Sequence, residues 1–173
     1  MDYKKKEYNS KTLRDYATDF MKYDTICTQS AMGSGKTKNL IKLLDEMYKN
    51  RKITIVSFRR SLLREYRNML PGFKYYTDIK DKKIDLDAHK KRLIQADSLY
   101  RISGEVDMLV MDECTFTFEH IVTYVKKFKS QCVSALEHLL STSTKVLAID
   151  ALLNEDYRNL TYPGKTFNRD ISD

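Results

Sequence analysis

Eight consecutive residues, Ser30-Ala31-Met32-Gly33-Ser34-Gly35-Lys36-Thr37, bring two glycines, an ammonium and hydroxyls together in a chain of 173 residues. Gly33 and Gly35 let the backbone curl so that successive N–H groups face phosphate oxygens. A helix opening at Lys36 would add the partial positive charge of its N-terminus. Lys36 would place its ammonium on the β- and γ-phosphates of a nucleotide, and the Thr37 hydroxyl would ligate Mg²⁺. This is the pattern of a P-loop, so all eight residues are expected to contact ATP, with Mg²⁺ as the accompanying ion. Ser30 stands where the standard pattern has glycine, and a small side chain still fits there.

A P-loop works with an acidic residue at the end of a neighbouring strand. The apolar run 106–111 leads directly into Asp112-Glu113. Asp112 is expected to hold Mg²⁺, often through a water, and Glu113 to polarise the attacking water as general base. The catalytic candidates are therefore Lys36, Asp112 and Glu113, with Thr37 and Asp112 as metal ligands. An acidic pair after a strand is common by itself, and its company with the P-loop gives it meaning.

These groups need strands and helices to carry them. Residues 23–28 (YDTICT) read as a short strand ahead of the P-loop. Residues 36–50 place Leu40, Ile41, Leu44 and Met47 at helical spacing, an amphipathic helix. The β-branched run 52–58 (KITIVSF) reads as a strand, and 61–70 as a helix closed by Pro71-Gly72. Residues 73–77 suit another strand. The charged stretch 78–92 reads as a surface insertion or short helix, and 93–96 as a short strand. The run 106–111 (VDMLVM) has the continuous apolar character of a buried parallel strand. Helices are expected over 118–128 and 132–140, a buried strand over 145–150 (KVLAID), and a last helix beginning within 155–160. Such alternation implies a mainly parallel sheet covered by helices on both faces.

Composition agrees with one α/β domain. No apolar run approaches the roughly 18–20 residues of a membrane span, and the charged start MDYKKKEYNS lacks the apolar region of a secretory signal. The three cysteines, Cys27, Cys114 and Cys132, show no CxxC spacing and read as reduced thiols. His89, His120 and His138 lack metal-ligand spacing. The net charge of +7 suits a polyanionic partner, although runs such as Lys4-Lys5-Lys6 also serve as solvated faces.

Three more stretches narrow the type: Ser57-Phe58-Arg59-Arg60-Ser61-Leu62, the run LIQADSLYRI with Asp97-Ser98-Leu99, and KVLAIDALL with Ala148-Ile149-Asp150-Ala151. With the P-loop and Asp112-Glu113, these resemble the N-terminal motor domain of the herpesvirus-type replication-origin-binding protein family, a branch of the superfamily 2 DNA helicases. The resemblance runs over about 24–160. Ser30 to Thr37 looks like helicase motif I, where helicases often carry alanine in the place of Ser30. Ser57 to Leu62 resembles motif Ia, Asp112-Glu113 motif II, and the Asp150-Ala151 stretch motif III. The resemblance implies a three-layer RecA-like P-loop NTPase domain with a mainly parallel central sheet. It implies ATP hydrolysis coupled to DNA and a part in replication initiation. It would put Arg59, Arg60, Asp97 and Ser98 toward DNA, single-stranded or forked, and would have Asp150 and Ala151 couple the γ-phosphate to motion. Asp150 could instead serve only as a helix cap.

The organisation so implied is an N-terminal extension, 1–23, packing on an ATP-binding helicase domain 1, 24–173, with the second helicase domain absent. That second domain, or a partner subunit, would supply the arginine finger, so nucleotide binding with weak hydrolysis and no unwinding alone is expected. The location expected is intracellular, cytoplasmic or nuclear, such as a viral replication site, with no membrane partner. Two alternatives remain open at this point. Asp112-Glu113-Cys114-Thr115-Phe116 loosely resembles a signature of thymidine-type nucleoside kinases, and a lone domain could act as a nucleotide-dependent binding module without catalysis.

Overall fold

The computed structural model describes residues 24–28, 40–46 and 48–150 with their side chains, and 3–8, 29–30, 36–39, 47 and 167–172 as backbone. The strands β1 (Tyr3–Tyr8), β2 (Thr25–Ser30), β3 (Ile53–Ser57), β4 (Lys74–Tyr75), β6 (Lys91–Gln95), β8 (Met108–Asp112), β9 (Lys145–Asp150) and β10 (Phe167–Ser172) form one sheet, and β5 (Ile84–Asp85) pairs with β7 (Ile102–Ser103) outside it. Strand order in the eight-stranded sheet is β1-β10-β2-β9-β8-β3-β6-β4, and every pairing is parallel. The helices are α1 (Lys36–Met47), α2 (Arg60–Met69), α3 (Cys114–Thr123) and α4 (Lys129–Thr142), with 3-10 turns at Tyr76–Asp78 and Ala96–Arg101.

All residues of β3, β8 and β9 are buried. A parallel strand covered on both faces must be apolar throughout, which is why these three were readable as continuous hydrophobic runs. The chain winds from β2 to β3 to β4 in one direction along the sheet and returns through β6, β8 and β9 in the other. Right-handed crossovers therefore put α1 and α2 on one face and α3 and α4 on the opposite face, giving three layers. β3 and β8 are neighbours whose helices leave to opposite faces. The crevice outside their carboxyl ends is where open parallel sheets bind ligands.

Several expectations need correction. The charged stretch 78–92 is not wholly a surface insertion: Ile79, Ile84, Leu86 and Arg92 are buried, β5 is tied to β7, and β6 starts at Lys91. The Arg101 guanidinium orders this stretch, donating to the carbonyls of Tyr76, Ile79, Asp81 and Lys82 at 2.7–3.2 Å. The expected strand 73–77 shrinks to Lys74–Tyr75 before a 3-10 turn. Helix α3 opens at Cys114, earlier than expected, because Cys, Thr and Phe are indifferent helix formers and gave no signal. Backbone pairing also brings Tyr3–Tyr8 beside Phe167–Ser172, two strands the sequence did not advertise. The helix expected to begin within 155–160 lies outside the described residues.

Candidate functional site

Parallel register aligns the strand ends that carry the candidate residues. Gln29 of β2 pairs with Asp150 of β9, and Asp112 of β8 pairs with Ile149. The ends of β2, β9 and β8 thus lie on one edge of the sheet in that order. The β2 and β8 backbones are about 9–10 Å apart, two strand spacings. Helix α1 opens at Lys36, just beyond the end of β2. Ala31, Met32, Gly33, Ser34 and Gly35 lie outside the described residues, as does Ala151, and Ser30, Lys36 and Thr37 are described as backbone only.

The turn after β8 separates the two acids. Glu113 adopts φ 51°, ψ 50°, a left-handed conformation that is uncommon for a side chain with a Cβ. Asp112 is 1% exposed and points inward: its Oδ2 accepts the Tyr66 hydroxyl at 2.5 Å and its Oδ1 accepts the Glu113 N–H at 2.8 Å. Glu113 points outward, and its Oε1 accepts from Arg59 Nη2 at 2.6 Å. One kinked turn therefore gives adjacent carboxylates one buried and one half-buried setting.

Asp150, buried at the end of β9, accepts the Thr115 N–H at 2.8 Å in the first turn of α3 and lies 3.8 Å from Cys114 Sγ. It thus caps a helix from the neighbouring strand and joins the motif-III-like stretch to the turn bearing Asp112 and Glu113. Burial, with the Asp150 charge adding to it, pushes the Cys114 thiol far above its usual range, so it stays a neutral thiol. Cys27, Cys114 and Cys132 are all buried, and none is in a disulfide.

The segment after β3 is held from two sides. Thr117 Oγ1 accepts the Phe58 N–H at 3.2 Å and donates to the Asp112 carbonyl at 3.3 Å. Gln95 Nε2 donates to the Phe58 carbonyl at 3.1 Å, while its Oε1 accepts from Arg60 Nε at 3.1 Å and from the Tyr76 hydroxyl at 3.0 Å. Asp97 Oδ1 lies 2.5 Å from His120 Nε2, and Ser98 is half-buried in the same 3-10 turn. Arg59 therefore meets Glu113 directly, whereas Arg60, Asp97 and Ser98 sit along the flank of the site. Sequence reasoning missed Tyr66, Gln95, Thr117 and His120. Each contacts a site residue from a different element, and a contact across the fold leaves no local pattern. Among the described residues, no group of histidines, cysteines and acids forms a metal-binding cluster by itself.

Comparison with known proteins bears on the family and the fold. The profile of the "origin of replication binding protein" family matches residues 20–161. A protein named for a helicase/primase complex in African swine fever virus (strain Badajoz 1971 Vero-adapted) is 26% identical, the match covering 92% of this chain and 15% of that protein. The replication origin-binding protein of human herpesvirus 6B (strain Z29) is 30% identical, over 72% of this chain and 16% of that protein. The chain thus spans about a sixth of the length of these relatives. In fold it is similar to an ATP-dependent RNA helicase from Sulfolobus tokodaii described as hypothetical, with a TM-score of 0.58 at 14% identity, covering 96% of this chain and 54% of that one. The DEAD-box helicase Mss116 bound to ssRNA and UDP-BeF gives a TM-score of 0.54 at 12% identity, covering 99% and 47%. The architecture is that of a RecA-like helicase domain, and the chain belongs to the origin of replication binding protein family.

Proposed function

We propose that this chain is the ATP- and Mg²⁺-binding first motor domain of a DNA helicase-type ATPase in replication initiation, slow in hydrolysis and unable to unwind on its own. The observation that carries the reading is positional. Asp112 and Glu113 lie on the sheet edge where β2 ends, with Asp150 on the strand between. The family favours this reading over a nucleoside kinase.

The donor set fits Mg²⁺, which prefers oxygen ligands, keeps several waters and takes one or two carboxylates beside substrate phosphates. The Tyr66 hydroxyl and the Glu113 N–H, donating to Asp112 Oδ2 and Oδ1, fix the orientation of the carboxylate that would hold a metal-bound water. Thr37 would add its hydroxyl. When bound, Mg²⁺ would neutralise charge on the phosphates. The protein's part is to cradle the triphosphate with residues 30–37, grip it with Lys36, and accept the proton of the attacking water at Glu113.

The Arg59–Glu113 contact supports slow basal turnover, because it holds the Glu113 carboxylate in an orientation set by the guanidinium rather than by the attacking water. It also supplies a link to DNA. A backbone phosphate competing for Arg59 would release its hold on Glu113, the candidate base. The arginine finger that completes such sites would come from a second domain or a partner subunit.

Turnover measured with and without single-stranded DNA tests the proposal. The expected result is slow hydrolysis, raised only a few-fold by DNA, without separation of a forked duplex. Brisk turnover with unwinding by these 173 residues would contradict it, as would no hydrolysis under any condition.

A further inference from the structure

Helix α3 carries Phe116 and His120 one turn apart, and Tyr124 follows one turn later as its C-terminal cap. The spacing of four sets all three on one side of the helix. Phe58, from the segment after β3, joins the row: its ring centroid lies 6.1 Å from that of Phe116 and 5.7 Å from that of His120, which is 5.9 Å from Tyr124. In these three neighbouring pairs the ring planes are tilted by 32–42°. A helix packing only for stability would turn such rings inward, yet Phe116 is 54% and Tyr124 62% exposed. The Asp97 carboxylate fixes the His120 ring in the middle of the row.

Cations bracket the rings. Arg59 and Arg60 follow Phe58, and Lys126 and Lys127 follow Tyr124; all four are exposed. The acids Asp97 and Glu113 are already engaged by His120 and Arg59, and Glu119 lies one residue off the row. Ring faces for bases with cations at both ends for phosphates match the chemistry by which proteins hold single strands. A duplex offers its bases no such access, because they are stacked within it.

We infer that Phe58, Phe116, His120 and Tyr124 form a base-stacking platform for single-stranded nucleic acid, flanked by the Arg59-Arg60 segment and by Lys126-Lys127. The inference rests on the DNA-binding reading above and adds to it which surface takes the bases.

The test is fluorescence anisotropy of the whole chain with a labelled oligothymidylate and with an abasic strand of equal length and charge. The wild type is expected to bind oligothymidylate more tightly than the abasic strand. Phe116→Ala combined with Tyr124→Ala should cost about tenfold or more on oligothymidylate and leave the abasic strand unchanged, with an unaltered melting temperature. Phe116→Tyr combined with Tyr124→Phe should retain wild-type affinity. Unchanged oligothymidylate binding in the alanine variant overturns the platform, and so does an equal loss on both strands. If Arg59→Ala with Arg60→Ala weakens both strands while the alanine pair weakens neither, the platform falls and the DNA reading stands. If the wild type binds neither strand, both fall. A wild-type dimer that the alanine variant dissolves, with DNA affinity kept, assigns the rings to contact between copies and also overturns the platform.

Discussion

Tyr66 Oη and Asp112 Oδ2 sit 2.5 Å apart in a buried setting, and hydrogen bonds to charged groups contribute about 1.5–3 kcal/mol. Tyr66→Phe should therefore lower stability by about that amount, read as a shift in the urea midpoint with unchanged slope, and should weaken the Mg²⁺ dependence of nucleotide binding. A variant as stable as wild type would remove Tyr66 as the positioning group. The Arg59–Glu113 pair is different in kind: both partners reach solvent, with side-chain exposures of 50% and 23%. Such pairs contribute only about 0–1 kcal/mol. Arg59→Ala should thus leave the melting temperature almost unchanged, raise DNA-free turnover a few-fold by releasing Glu113, and reduce DNA affinity. Unaltered DNA-free turnover would show that Arg59 does not restrain the base. At this scale the sequence offered the P-loop pattern and the acidic pair as candidates because their chemistry is written in consecutive residues. It hid Tyr66, Thr117 and Gln95, whose contacts join residues far apart in the chain.

Among the described elements, α3 ties together the strand ends and turns that carry the candidate residues. Its first turn is bound to β9 through Asp150 and Thr115, its Thr117 joins β8 to the segment after β3, and its His120 meets Asp97. Removing an acceptor of a helix's first-turn N–H costs about 0.5–2 kcal/mol. Asp150→Ala should lose that much stability and speed hydrogen exchange in the first turn of α3 while leaving α4 protected. Exchange unchanged at Thr115 would mean that the Asp150 contact does not hold the helix start. The sequence read both possible duties of Asp150, cap and coupler; the geometry makes it a cap donated by another strand, so the two duties are compatible. The buried strands 53–57, 108–112 and 145–150 were legible from apolar runs. The stretch 78–92 was not, because its order comes from Arg101 carbonyl contacts and from Ile84 and Leu86, isolated apolar residues among charges. Gly104 belongs to the same arrangement: it turns at φ +96°, and an added Cβ would sit 3.3 Å from Leu86 Cβ.

For the whole molecule, fold and site follow from one topological fact. The chain winds outward from β2, returns on the opposite face, and so delivers the end of β8 to the same edge two strands away. The surplus of seven positive charges suits a polyanion on that scaffold, but charge alone says nothing of where it binds. The most direct check on the account is equilibrium titration of a fluorescent ATP analogue with Mg²⁺ into the wild type and Lys36→Ala. Saturable binding by the wild type is expected, with the variant at least about tenfold weaker, roughly 1.4 kcal/mol, and equally stable to heat. Equal affinity in the two proteins would contradict the assignment of this edge as a triphosphate site.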